Sequence, residues 1–275
     1  MSRNFKALLN AQWEQQKFLC IGLDPDFDRI PDAARTTGVH ETLVNFGRAI
    51  VDATLDIAGS YKLNSAFYEA HGETGWGALQ ETIEDIQERA PEIPIILDAK
   101  RADIGNTNSG YVDAVFENLN VDAVTVHPYL GAEAMQPFLD QKDKGVFVLC
   151  RTSNSGAGEF QDLMVGNEPL YMQVARNVNT LWNTNGNCGL VVGATYPEEM
   201  KKIRAIADDM PFLIPGIGVQ GGDLEKTVQA GKNSRGSGMI IAASRAILFA
   251  SKGSDFAAAA RAKAQELDGA IRKAL

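Results

Sequence analysis

Cysteine and histidine are scarce in this chain: three of each among 275 residues. Cys20, Cys150 and Cys188 lie in apolar runs with no paired spacing, which excludes a disulfide framework and speaks against a metal or redox role. They read as reduced core thiols. His40 and His71 stand in polar stretches and His127 follows an apolar run alone, as a structural histidine does, so no metal-ligand cluster is visible. A Gly-x-Ser-x-Gly elbow is also missing, and no cysteine has a histidine near it in sequence, which leaves nucleophilic triads without support. Positive charge is the minority, 26 Lys and Arg against 35 Asp and Glu, for a net charge of -9. That balance argues against a nucleic-acid backbone or an anionic membrane as partner, yet leaves a small anionic substrate open, because a pocket's local charge can oppose the global one. No segment approaches the roughly 20 apolar residues of a membrane span. Residues 1–16 are polar and helix-like without an apolar h-region, so the expected location is the cytoplasm.

What is present is a regular alternation. Short β-branched runs at 18–22, 60–63, 93–98, 123–126, 146–150, 189–193, 212–215 and 239–242 read as eight buried strands. Longer amphipathic stretches at 41–57, 76–88, 108–118, 132–139, 171–183, 197–208 and 223–230 read as the helices between them, and the alanine-rich 255–275 as a closing helix. Strand-helix alternation means a parallel sheet, and eight repeats in a chain near the usual length of about 250 residues favour a closed (β/α)8 TIM barrel over an open sheet. Residues 1–275 are expected to form one domain, since no linker or low-complexity tract interrupts them. The connection 151–166 is long and without obvious structure, which in a compact domain suggests a functional loop.

In such a barrel the site lies at the carboxyl ends of the strands. The polar residues there are Asp24, Lys62 and Asn64, Asp98 and Lys100, Thr125 and His127, Ser153, Gln220 and Arg245. The stretch from Leu97 to Thr107 stands out: a buried apolar strand ends in Asp98 and Lys100, two apart and so expected on one face, with Asp103 just beyond in the loop. The plain alternative is a buried ion pair used for packing, but desolvating such charges costs several kcal/mol each for little net stability. Lys62, taken alone, is more often a solvated charge; beside Asp98, Lys100 and Asp103 it completes a row of alternating sign. Carboxylate neighbours hold a lysine charged, which disfavours a Schiff-base aldolase and suits electrostatic stabilisation of a carbanion followed by proton delivery.

A second constellation runs from Pro215 to Gly222, with Ser244 and Arg245 after the eighth strand. Gly216, Gly218 and Gly221 fit Gly-x-Gly-x-x-Gly, but the motif follows the seventh strand instead of opening a first βα unit, and apolar residues stand where a ribose-binding acid belongs, so a dinucleotide fold is rejected. Loops after strands seven and eight of a barrel commonly bind phosphate, and Arg245 adds a planar cationic fork to them.

Asp98-x-Lys100-x-x-Asp103 at a strand end, followed by Ile104 and Thr107 and preceded one strand earlier by Lys62, resembles the orotidine 5'-phosphate decarboxylases. The resemblance implies a (β/α) barrel that dimerises across its active sites and uses no metal or organic cofactor. It implies that Lys62, Asp98 and Lys100 act with Asp103 of the other subunit, which also supplies contacts from Ile104 and Thr107. Asp24 would hold the ribose and Ser153 the pyrimidine, with Thr152 and Ser155 as hydroxyls that could serve instead. Pro215, Gln220 and Arg245 would contact substrate, the last two gripping the 5'-phosphate, and residues 154–166 would form a lid. Some members place a tyrosine close after the glutamine, whereas Gly221 and Gly222 stand here.

The implied reaction is decarboxylation of orotidine 5'-phosphate to uridine 5'-phosphate, the last step of pyrimidine nucleotide synthesis. The nearest rival is a magnesium-dependent sugar-phosphate decarboxylase or hexulose-phosphate synthase, which resembles the same barrel and loop. A non-catalytic nucleotide-binding protein on this scaffold is the rival from another class, disfavoured because binding an anion gives no reason to keep two carboxylates beside it.

Overall fold

The computed structural model describes residues 3–217 and 223–275. Eight parallel strands close into a barrel: β1 (Leu19–Leu23), β2 (Ser60–Asn64), β3 (Ile95–Arg101), β4 (Ala123–Val126), β5 (Gly145–Arg151), and, beyond a two-stranded hairpin of β6 (Met164–Val165) and β7 (Glu168–Pro169), β8 (Cys188–Val192), β9 (Phe212–Pro215) and β10 (Met239–Ala243). Their order around the barrel is β1-β10-β9-β8-β5-β4-β3-β2. Each expected strand is present within a few residues. Most are buried on both faces, as strands between a filled lumen and a layer of helices must be.

The helices are α1 (Phe5–Glu14), α2 (Val39–Thr54), α3 (Ala66–Glu69), α4 (Gly72–Arg89), α5 (Gly105–Val112), α6 (Gly131–Leu139), α7 (Gly158–Gln161), α8 (Leu170–Asn177), α9 (Pro197–Ile206), α10 (Leu224–Gly231), α11 (Arg245–Leu248) and α12 (Phe256–Ala274). Helices α5 and α8 each continue into a π-helical turn, Asp113–Asn118 and Val178–Trp182. Sequence spacing explains which faces they bury. In α12 Phe256, Ala260, Ala264, Leu267 and Ile271 recur every three to four residues and are buried, while the charges between them stay outside. Side-chain caps start two helices, Asn4 accepting from the Ala7 N–H and Asp223 from the Lys226 N–H.

The core has two parts. Barrel and helices enclose the larger one, and the lumen holds a separate cluster of Cys20, Ile96, Ala123, Phe147, Val191, Leu213, Ile240 and Ala242. Helix α1 stoppers the amino-terminal mouth: Phe5 and Leu9 join the lumen cluster, Phe5 meets Phe147 edge-on at 5.6 Å between ring centroids, and the Trp13 indole N–H donates to the Met239 carbonyl at 2.8 Å. Two residues further along each strand the same face points to the opposite mouth. The stepping takes Ser60 to Lys62 and Ile96 to Asp98, which brings charge to the rim, and it takes Ala123 to the buried Thr125 and Leu213 to Pro215 on the cavity wall.

Candidate active site

The rim encloses a cavity of about 1120 Å³. Asp24, Lys62, Asn64, Asp98, Lys100, His127, Ser153, Pro215 and Arg245 all line it, contributed by the ends of seven strands. The convergence expected from the alternating pattern is therefore met for these residues.

Lys62 is 4% exposed, with its ammonium 3.2 Å from both Asp24 Oδ1 and Asp98 Oδ2. Asp98 Oδ1 accepts from Lys100 Nζ at 2.7 Å and from the Thr125 hydroxyl at 2.8 Å. Within one chain the row of alternating sign is thus Asp24, Lys62, Asp98, Lys100. Burial would push the Asp98 carboxyl up, but Lys62 and then Lys100 outweigh it and hold the group well below the usual carboxylate range. Lys62 balances the same way: burial would lower its value, and Asp24 with Asp98 more than reverse this, so the ammonium is held charged far above neutrality.

Strand alternation is not what brings Lys100 to Asp98. The β3–β4 register slips between Leu97 and Arg101, and Lys100 takes φ +46°, a left-handed conformation that a lysine seldom adopts. The bulge turns the Lys100 ammonium back towards Asp98 while leaving its side chain 46% exposed.

Asp103, Ile104 and Thr107 lie outside this cavity. The Asp103 carboxylate accepts from the Ile104 N–H at 2.8 Å, and Ile104 itself is 58% exposed. The reach across the loop expected for Asp103 is not made within its own chain. Gln220, with Gly218, Gly221 and Gly222, falls outside the described residues. Arg245 opens α11 beside Pro215, Gly216 and Ser244, and its guanidinium has no carboxylate partner among the described residues. Two glycines let loops approach the rim: a Cβ on Gly22 would lie 1.8 Å from Ser244 Oγ, and one on Gly193 2.8 Å from Ser153 Cβ. Of the three candidate hydroxyls after β5, Ser153 and Thr152 line the cavity.

The connection 151–166 is more ordered than its sequence suggests. It holds a 3-10 turn (Ser155–Ala157), α7 and the first strand of the hairpin. Its anchor is Arg151, buried with its guanidinium 3.9 Å from the Tyr196 ring centroid and bonded to Gln161 and Asp162. Buried arginine after a strand carries no sequence signal that separates it from a surface charge.

The cysteines are free and buried, and burial pushes each thiol up to about 12. Burial also lowers the His127 imidazole, favouring its neutral form. Among the described residues no group of three or more His, Cys, Asp or Glu is placed to hold a metal ion, and no helix is long and apolar enough to cross a membrane.

A closed parallel barrel with interleaved charges at its carboxyl-terminal mouth, and an arginine there that has no carboxylate partner among the described residues, defines a (β/α)8 enzyme built for a small anionic substrate. Comparison with known proteins narrows the class. The model of the orotidine 5'-phosphate decarboxylase / HUMPS family matches residues 17–262, and the chain belongs to that family. An orotidine 5'-phosphate decarboxylase of Azoarcus sp. (strain BH72) is 49% identical over 269 residues, 98% of each chain. That of Cellvibrio japonicus (strain Ueda107) is 49% identical over 260 residues, 94% of each. Among solved structures, Leishmania donovani OMP decarboxylase superposes with TM-score 0.84 at 38% identity, covering 98% of this chain and 99% of that one. Leishmania donovani UMP synthase gives TM-score 0.86 at 40% identity over 98% of this chain, which spans 57% of that longer protein.

Proposed function

We propose that the chain, acting over residues 1–275 as one catalytic domain, converts orotidine 5'-phosphate to uridine 5'-phosphate and carbon dioxide, the closing step of pyrimidine nucleotide synthesis in the cytoplasm. Family membership supports the activity, and one observation carries the chemistry: Lys62 and Lys100 both contact Asp98 at the rim. The bond between C6 and the carboxylate carbon breaks, the electron pair stays on C6, and carbon dioxide leaves. Asp98, held ionised, crowds the departing carboxylate. The Lys100 ammonium stabilises the vinyl carbanion, gives C6 a proton and regains one from solvent. A unit charge pair at about 4 Å is worth roughly 4 kcal/mol at an effective dielectric of 20, so one lysine does not account for a large acceleration alone. Binding energy from the remote phosphate supplements it by holding substrate and loops in place.

In this reading Asp24 holds the ribose, Ser153 the pyrimidine, and Pro215, Gln220 and Arg245 the phosphate end. Asp103, Ile104 and Thr107 serve the site of a second copy, in a homodimer with shared active sites. Their position outside their own cavity supports that exchange, as does the apolar exposure of Ile104, Tyr129 and Leu130 near the same mouth. The test is optical: purified protein in the presence of a chelator abolishes the ultraviolet absorbance characteristic of orotidine 5'-phosphate. Activity that instead requires magnesium and a hexulose phosphate supports the sugar-phosphate branch.

A further inference from the structure

The irregularity in β3 leaves a backbone group to account for. Leu97 stands opposite Val124 and Arg101 opposite Val126, so Asp98, Ala99 and Lys100 share a single counterpart on β4, Thr125. A bulge of this kind deprives an N–H of its ladder carbonyl. The Lys100 N–H is satisfied instead by Thr125 Oγ1 at 2.9 Å. A hydroxyl accepts and also donates, and this one gives its proton to Asp98 Oδ1 at 2.8 Å. The same carboxylate oxygen takes the Lys100 ammonium at 2.7 Å. The contacts form a closed ring from the Lys100 backbone through Thr125 and Asp98 to the Lys100 side chain.

Thr125 is fully buried and lies behind the cavity wall, not on it. Substrate therefore has no direct contact with it. Its branched Cβ restricts χ1, so the hydroxyl is aimed before substrate arrives.

We propose that Thr125 is the positioning residue of the reaction: one hydroxyl holds the left-handed turn at Lys100 and orients the Asp98 carboxylate that receives the Lys100 ammonium. The inference rests on the function proposed above and adds to it a group that no motif marks. Valine at this position keeps the shape and removes both hydrogen bonds, leaving the Lys100 N–H unpaired at a site that demands precise placement of the ammonium.

The experiment compares kcat and KM for orotidine 5'-phosphate in wild type, Thr125→Val, Thr125→Ala and Thr125→Ser, with thermal unfolding measured alongside. Valine and alanine are expected to lower kcat about 10- to 100-fold, the range for losing a hydrogen bond to a charged group. KM is expected to stay near the wild-type value because the phosphate and ribose contacts are untouched, and serine is expected to restore most of kcat. Alanine answers the question should the valine variant not fold. A wild-type kcat in either hydroxyl-free variant, or a serine variant as slow as alanine, overturns the role of Thr125. A wild type inert towards orotidine 5'-phosphate overturns the proposed function itself, which separates the two failures.

Discussion

Two ion-paired aspartates at opposite mouths of one barrel show how similar chemistry is put to different use. Asp122, just before β4, is fully buried and takes the Arg3 guanidinium on both oxygens at 2.8 Å, with the Ile95 N–H also at 2.8 Å. Arg3 also donates to the carbonyls of Pro91 and Ile93, so that four of its five N–H groups are engaged. Donors and acceptors there close among themselves, and the result is a clasp between the amino-terminal segment and the barrel floor. Asp98 is also paired with cations, yet its partner Lys100 makes, among the described residues, one of the three hydrogen bonds an ammonium can donate, and it faces an open cavity. Burial and pairing do not distinguish these two charges. Unspent donor capacity facing a cavity does.

The sharpest way to break this contrast is Lys100→Ala. Turnover should fall by at least about 10³-fold, the combined scale of general-acid and electrostatic contributions, while nucleotide binding and the unfolding temperature change little because the side chain is half exposed. Near-normal turnover by the purified variant would remove the array from the mechanism. Asp122→Ala should do the reverse. Removing one partner of a buried pair costs about 3–5 kcal/mol, readable as a lower urea midpoint, with kcat of the folded fraction unchanged. A loss of kcat without a loss of stability would erase the distinction between the two mouths.

A smaller effect is expected at the phosphate end. Arg245→Ala should weaken binding by about 1.5–3 kcal/mol, seen as a raised KM with kcat much less affected. The smallest effect concerns pH. The Asp98 carboxyl titrates lower in the folded chain than in the unfolded one, so it contributes stability above about pH 4 that is lost as pH falls through its folded value. Lys62 titrates higher in the folded chain, so its contribution is full below about pH 10 and lost as pH rises through its folded value. Urea midpoints of wild type and Asp98→Asn should therefore converge between pH 4 and pH 2, reading pH 4 as roughly the unfolded carboxylate value. A constant difference across that interval would show that the carboxylate adds nothing to the fold.

Much of the architecture was legible because it is a matter of periodicity. Strands such as Ala123–Val126 and Phe212–Pro215 are bounded in sequence as they are in space, since a strand buried on both faces has only apolar residues to offer. The polar ends of those strands were legible for the same reason. The bulge was not: nothing in Leu97 to Arg101 announces that Lys100 takes a left-handed φ, and alternation predicts a nearby result by a different route. Thr125 was visible as a strand-end polar residue without a role. Parity could have found it, because it stands one strand over from Asp98 on the same inward face. Arg151 and the folding of the loop it anchors were hidden, since cover by Tyr196 comes from residues some 45 positions along the chain.

Local order in the chain decided which residues are strand, which are helix and which polar groups end each strand, because period-two and period-3.6 patterns act over a few neighbours. Closure of the barrel decided everything that depends on distance across it. It set Lys62 between Asp24 and Asp98, gave Lys100 its strained turn and Thr125 its two bonds, and left Asp103 outside its own cavity. Charges interact through space, and only the folded chain brings residues so far apart in sequence within about 3 Å of one another.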